Sequence, residues 1–377
     1  MRPTIKDIAK QVGVSSNTVS KVMTGKGRVS EATRQRVLEA AAALGYSPNR
    51  SARALSRRAL SIAAVYPVEP ADFYSHIARG IAQQAAELVD YGCTVTTHTY
   101  PSIETPLALG QVLAGVLKDR PDGLILTCSH RFEECREVLE EFHAANIPIF
   151  YATIFGDMIP GVVGGVRTDT YSAGRIAAQF LGLTMRSRRA GAGEAEGAEG
   201  AEGAEGTDRV DADRSAPRRV ALMVGEKHLL VYRECIDGFS AQAASSGIEV
   251  AAVSETFGRE DMAYEAAAEL FGGGADVDGI YVTSHNSVGV CQYLEDHGLA
   301  GQVSVIGHDL FPKLNQKLES GTLTATLFQS QGIQGYDAVR MAVESLESGA
   351  MARRPTIRLV APRLVLPCMI SAFPDYC

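Results

Sequence analysis

Several absences narrow the field before any motif is considered. No stretch of the chain approaches the roughly eighteen or more consecutive apolar residues of a membrane-spanning helix. The opening residues, MRPTIKDIAKQ, carry no apolar core followed by a small-residue cleavage site, so no export signal is expected there. The seven cysteines (93, 128, 135, 235, 291, 368 and 377) are odd in number and contain no CxxC pair, which suits a reducing compartment better than a disulfide framework. Secreted, membrane-spanning and disulfide-stapled classes are excluded on this basis, and a cytoplasmic protein is expected.

Signatures of catalysis are missing too. There is no GxSxG, no GxxxxGKS/T and no GxGxxG following a strand. Cys128-Ser129-His130 and Ser284-His285 set nucleophile-like groups beside histidines, but neighbours on a strand point to opposite faces, so adjacency makes no dyad. The eight histidines are scattered without metal spacing, and Cys291 with His297 alone builds no site. Neither an enzyme nor a metal or other cofactor is expected.

What is present is an uneven distribution of charge. Residues 1–60 hold twelve Lys/Arg and three acids, a net +9, while the whole chain of 377 residues carries −8, so the remainder carries −17. A charged helix face exposed only to solvent usually balances its signs. A sign bias that persists over sixty residues instead suggests a head that meets a polyanion and a body that does not. The length itself calls for several domains.

Within the head, Thr4 can start a helix with Asp7 three positions on, and Ile5, Ile8, Ala9 and Val12 share one face. Gly13-Val14 ends it, and Ser15 or Ser16 can cap a second helix reaching Met23. After the Thr24–Gly27 loop, Ser30 caps a third helix with Val37, Leu38, Ala41 and Leu44 as its apolar face, ending at Gly45. Ala9, small at a helix crossing, Gly13 at the turn and Val19 packing back are the helix-turn-helix spacing. Pro48-Asn49 then starts a short stretch, SARALSRR (51–58), that is helical by composition but too short to be stable alone.

From Ser61 the pattern changes to apolar strands alternating with helices: 61–67, 93–100, 123–129, 147–153, 162–166, 218–225, 248–255, 279–284 and 302–309. This βαβ repetition predicts parallel sheets covered by helices. Asp122-Gly123 and Asp278-Gly279 each precede a strand in comparable places, which favours two similar lobes. Residues 186–219 contain repeated AEG triplets and, apart from Val210, no large apolar side chain, so they read as a disordered surface loop.

The string from Ile5 through Leu55, with VSSNTVSKV, VSEATRQRV and LGYSPNRSARAL in that order, closely resembles the head of the LacI/GalR (lactose-repressor) family of bacterial transcription regulators. The resemblance implies an N-terminal all-α helix-turn-helix head (1–46), a hinge helix (47–59), and an α/β two-lobed, periplasmic-binding-protein-like effector domain with parallel sheets (60–377). The first lobe is expected to hold about 60–166 and 330–355, the second about 167–329 and 356–377.

It also implies roles. The second helix enters the major groove, where Ser16, Asn17 and Lys21 face base edges. Thr4, Ser15, Thr18 and Ser20 hold phosphates or cap helices, and Arg28 contacts phosphate or base. Asn49 and Arg53 belong to the hinge, and Leu55 from each of two copies wedges into the minor groove of a pseudo-palindromic operator.

In the body, RTDTYSAGRIAAQFL (167–181) resembles the segment where the family's chain crosses into the second lobe. REC-x-x-GF (233–239) is aligned with the family's R-x-x-GF, IGHDL with its V-G-x-D, and LTATLFQ (323–329) with its last crossing. Asp309, Arg233, Asn286 and Gln329 suit a polyol, Asp169 lies at the crossing, and Phe73 and Tyr74 offer stacking faces. The partners expected are double-stranded DNA, a small sugar-like effector and a second copy of the chain, with no membrane. There are departures: the fourth strand ends FYAT where many relatives have an acid, VTSHNSVGV replaces N-D-x-x-A-x-G, and the C-terminus lacks the leucine heptads that make tetramers, so a dimer is expected. The function expected is a repressor of sugar or carbohydrate uptake and catabolism genes that its effector releases from the operator. A corepressor-type or non-sugar ligand is the alternative, and a solute-binding protein or an enzyme without gene control are the rivals from other classes.

Overall fold

The structure, a computed structural model, describes residues 3–24, 29–44, 59–103, 105–127, 132–153, 161–196, 217–274, 276–349 and 355–376. Arg28, Asn49, Arg53 and Leu55 lie outside the described residues.

The head is three helices, α1 (Ile5–Val12), α2 (Ser16–Thr24) and α3 (Glu31–Ala43). The Asp7 carboxylate accepts from both the backbone N–H and the hydroxyl of Thr4, each at 2.7 Å, which closes the first turn of α1. Gly13 ends that helix in the left-handed region (φ 72°), its N–H donating to the Ala9 carbonyl at 2.9 Å. Ser15 caps α2 by accepting from the Thr18 N–H at 3.0 Å, and Ser30 caps α3 through Thr33. Ile8, Ala9, Val12, Val19, Val22, Val37, Ala40 and Ala41 form one small core. Leu38, expected on the buried face, is 45% exposed, and Ala40 takes its place. One residue is about 100° of helix, and the core accepts only the arc centred on Val37 and Ala41.

The body holds two six-stranded sheets. The first runs in the order β11-β5-β4-β3-β1-β2 and the second β12-β10-β9-β8-β6-β7. The first comprises β1 (Leu60–Glu69), β2 (Cys93–Ser102), β3 (Gly123–Leu126), β4 (Ile149–Ala152), β5 (Val162–Thr168) and β11 (Thr356–Val360). The second comprises β6 (Arg218–Val224), β7 (Ile248–Glu255), β8 (Gly279–Val282), β9 (Ser304–His308), β10 (Ala325–Phe328) and β12 (Arg363–Val365). Every pairing is parallel except β10 with β12. Central strands such as β3 and β8 are buried at every position, as strands covered by helices on both faces must be. The two DG turns are equivalent in detail. Asp122 Oδ2 accepts from the Ser61 N–H at 2.8 Å, and Asp278 Oδ2 accepts from the Arg219 N–H at 2.8 Å.

Helices α4 (Ala71–Leu88), α5 (Pro106–Asp119), α6 (Arg136–Ala144) and α12 (Gln331–Ser348) accompany the first sheet. Helices α7 (Thr170–Glu196), α8 (Leu230–Ala243), α9 (Glu260–Gly272), α10 (Ser287–Asp296) and α11 (Pro312–Glu319) accompany the second. Glycines bring helices to backbone contact in both lobes. A Cβ on Gly174 of α7 would lie 2.1 Å from the Cys235 carbonyl oxygen, and one on Gly335 of α12 would lie 2.2 Å from that of Ile77.

Two expectations change. Residues 356–377 are not all in the second lobe: Thr356–Val360 pair with β5 in the first sheet, and the chain crosses again before β12. LTATLFQ therefore contains a crossing but not the last one. The segment 186–219 is not all loop either, since α7 continues to Glu196 and β6 begins at Arg218. Alanine, glutamate and arginine are strong helix formers, so a helix already anchored at Thr170 propagates into a sequence that could not nucleate one alone.

Candidate functional site

Two surfaces carry chemistry. In the head, the inward arc of α2 is taken by Val19 and Val22, which are buried. Ser16, Asn17 and Lys21 are exposed and Ser20 half-exposed, so these four share the outward arc of the same helix. Arg36 on α3 donates to the Val12 carbonyl at 2.6 Å and ties the end of α1 to the third helix. Thr4, Ser15 and Thr18 are all engaged in end-of-helix hydrogen bonds, so the head spends these hydroxyls on geometry.

In the body, a cavity of about 810 Å³ opens at the strand ends of both sheets, the place where parallel α/β sheets take ligands. Phe73 and Tyr74 line it and pack edge to face at 5.0 Å, joined by Tyr232 and Phe257. Asp309 lines it in the left-handed conformation (φ 73°), and its carboxylate is held by two amides. Gln329 Nε2 donates to both oxygens at 3.0 and 3.1 Å, and Gln331 Nε2 donates to Oδ1 at 2.6 Å. Burial raises the Asp309 carboxyl to about 7, against the lowering pull of these amides. His308 beside it is buried, which depresses its pKa to about 3 and leaves a neutral ring against the Tyr281 hydroxyl at 2.8 Å. Thr153, Phe257 and Asp309, all lining residues, and the adjacent Ser330 have positive φ without being glycine.

A second polar group joins the lobes at the cleft edge. Arg167 at the end of β5 makes a two-pronged contact with Glu234 on α8, at 2.5 and 2.7 Å, and Thr170 donates to the same carboxylate. Gln334 on α12 donates to the Thr168 hydroxyl at 3.0 Å and the Gln329 carbonyl at 2.9 Å, and accepts from Thr153 at 2.6 Å. It thus ties two strand ends of the first sheet to the exit of β10.

The comparisons with known proteins decide the family. Residues 62–350 match the periplasmic binding protein domain, and residues 4–49 match the bacterial regulatory proteins of the lacI family. The chain belongs to the periplasmic binding protein domain family and carries the head of the bacterial regulatory proteins of the lacI family at its N-terminus. It is 36% identical to the HTH-type transcriptional regulator DegA of Bacillus subtilis over 151 residues, 40% of this chain and 43% of that protein. It is 28% identical to the HTH-type transcriptional regulator CelR of Thermobifida fusca over 82% of each chain. The fold is shared with GanP, a glucose-galactose binding protein from Geobacillus stearothermophilus (TM-score 0.62, 21% identity, 84% of this chain and all of that one). The protein is a DNA-binding transcription regulator, in a family of regulators rather than enzymes. Among the described residues no helix is long and apolar enough to cross a membrane.

For this lacI-family regulator the cleft gathers four of the seven ligand candidates: Phe73, Tyr74, Asp309 and Gln329. Asp169 is instead the cap of α7, accepting from the Ser172 N–H at 3.0 Å and its hydroxyl at 2.7 Å. Asn286 is fully buried, accepting from Ser284 and donating to the Arg259 carbonyl, while Thr283, Ser284 and His285 face the cavity. Arg233 is exposed and away from the cavity. Counted back from Gly238-Phe239, the arginine of R-x-x-GF falls on Cys235, and two residues on a helix are about 200° apart. Cys235 lines the cavity, its thiol pushed up to about 12 by burial. Sequence reasoning also missed Arg167, whose signal was its place at the head of RTDTYSAG, one residue before the crossing.

Proposed function

We propose that the protein is a cytoplasmic, homodimeric repressor that binds a pseudo-palindromic operator through residues 1–46 and leaves it when a small polyhydroxylated effector fills the cleft. The observation that carries this reading is the Asp309–Gln329–Gln331 cluster at one wall of an 810 Å³ cavity faced by aromatic rings. A carboxylate and amides in fixed positions meet paired hydroxyls, and aromatic rings cover the apolar face of a pyranose. CelR and MalR, among the relatives, are transcriptional regulators, and GanP binds glucose and galactose, which supports a carbohydrate.

The response follows from linkage: an effector that binds one arrangement of the lobes more tightly shifts the protein toward it and alters operator affinity by the same coupling energy. Within the head, Ser16, Asn17 and Lys21 read bases. Asn49, Arg53 and Leu55 serve as hinge contacts and Arg28 as a loop contact in the same proposal. Selection of bound genomic fragments by the purified full chain, followed by mobility shift with and without sugars, tests it. A short inverted repeat released by one sugar is the expected result. Selection of no sequence sinks the operator, and an operator tightened by sugar replaces induction with corepression.

A further inference from the structure

The charges around the cavity do not balance. Glu69, Glu226 and Asp309 line it, against two arginines. Both arginines are already committed: Arg167 to Glu234 in the two-pronged pair, and Arg259 to Asp261 beside it. Each arginine is held in contact with its own carboxylate, so each pair is neutral as a unit and brings no surplus positive charge to the cavity. The two lining histidines add none, because burial lowers the pKa of both His285 and His308. The helical position that would carry an arginine holds the uncharged Cys235. Among the described residues, the cleft therefore presents three acids and no uncommitted cation.

Two of the acids lie near one lining side chain. Burial, with Cys235 next, pushes the buried hydroxyl of Tyr232 well above its ordinary value, and the charges of Glu226 and Asp309 both add to that shift. Tyr232, Phe73 and Phe257 set aromatic faces around the same space. An independent sign of a missing polar partner is Thr283, which lines the cavity, is about 95% buried and has a hydroxyl without a hydrogen-bond partner.

Acids beside aromatic faces with no competing cation are the surroundings of an ammonium group, attracted by the carboxylates and by the ring quadrupoles alike. An anionic ligand would meet the like charges of Glu69 and Glu226 and would oppose ionisation of Asp309, whereas an ammonium would favour it. Resting on the polyol reading above, we infer that the cleft selects a hydroxylated amine, with its protonated nitrogen between Glu226 and Asp309, over both the uncharged and the phosphorylated sugar of the same skeleton.

The test is calorimetric titration of the full chain at pH 7 with matched probes: glucosamine, galactosamine and glucamine against glucose, galactose and sorbitol, with N-acetylglucosamine and glucose 6-phosphate as charge controls. At least one amine should bind about tenfold tighter than its parent polyol. That advantage should be lost in Asp309→Asn and reduced in Glu226→Gln. Glu226 is partly exposed, so its variant keeps the test open if Asp309→Asn fails to fold. Equal or tighter binding of the neutral or N-acetylated sugar overturns the inference and leaves the polyol reading standing. Preference for glucose 6-phosphate overturns it as well. If no amine and no polyol binds, both the inference and the polyol reading fall.

Discussion

Arg167 and Glu234 meet end-on at the first crossing between the lobes, two guanidinium nitrogens against two carboxylate oxygens, with side chains only 13% and 22% exposed. They belong to different lobes, one at the end of β5 and the other on α8. The pair therefore acts as a clamp on lobe position as well as on local structure.

Removing one half of that pair leaves the other charge largely desolvated. Arg167→Ala is expected to cost about 2–3 kcal/mol in urea unfolding. The double variant Arg167→Met with Glu234→Met should recover most of the loss, because no charge is then stranded. A single variant as stable as the parent would show that water already solvates the pair.

The glycine contacts predict opposite signs for the same substitution. Gly174→Ala and Gly238→Ala put a methyl 2.1 and 2.0 Å from backbone carbonyl oxygens across the α7–α8 contact, so each should destabilise by about 2 kcal/mol or more. Gly115→Ala, in the exposed middle of α5 with nothing within 4 Å, should stabilise by up to about 1 kcal/mol. Thermal melts of the three variants settle the ranking.

Asp309 makes stability depend on pH in a defined direction. Its carboxyl is raised to about 7 in the fold, against 3.8 as the ordinary value. The folded state therefore holds the proton more tightly than the unfolded state. Its favourable contribution is complete below about pH 4 and is lost as pH rises through 7. The stability difference between the parent and Asp309→Asn should shift by a few kcal/mol against the parent between pH 4 and 8. His308 runs the other way: held neutral down to about 3, it contributes above pH 6.5 and loses that contribution as pH falls. A flat difference curve for Asp309→Asn would mean that the carboxyl stays ionised throughout.

In the head, capping and reading are separable. Ser15→Ala removes the α2 cap and should cost about 1 kcal/mol of stability. Asn17→Ala, on the exposed arc, should leave the melt unchanged but weaken operator binding by about 10–100-fold and relax preference at one base position. Asn17→Ala with unaltered selectivity would remove that residue from base reading.

Sequence reasoning succeeded where a local rule determines the outcome. Thr4 with Asp7, Gly13 after Ala9, Ser30 ahead of Thr33, and the apolar runs of β1 through β9 each follow from capping or periodicity. It failed where function depends on a partner far along the chain. Arg167 gains its role from Glu234, sixty-seven positions later. Arg233 was misplaced by two residues, enough to turn a side chain to the far side of α8. β10 lay within the segment read as a crossing, and β11 (TIRLV) and β12 (RLV) mix arginine with their apolar residues, so none showed as an apolar run, and their pairing is tertiary. Asp309 was legible from IGHDL, but its two amide partners were not both so, since Gln331 joins only through the turn at Ser330.

The chain enters the first sheet, leaves it after β5, and returns only for β11. While the protein is being made on the ribosome, β5 must wait as an uncovered strand edge until Thr356–Val360 emerge nearly two hundred residues later. Parallel edges left open in this way invite pairing with other nascent chains. The lobes thus mature together near the end of synthesis, so truncation ahead of β11 should yield two incomplete sheets rather than one finished lobe.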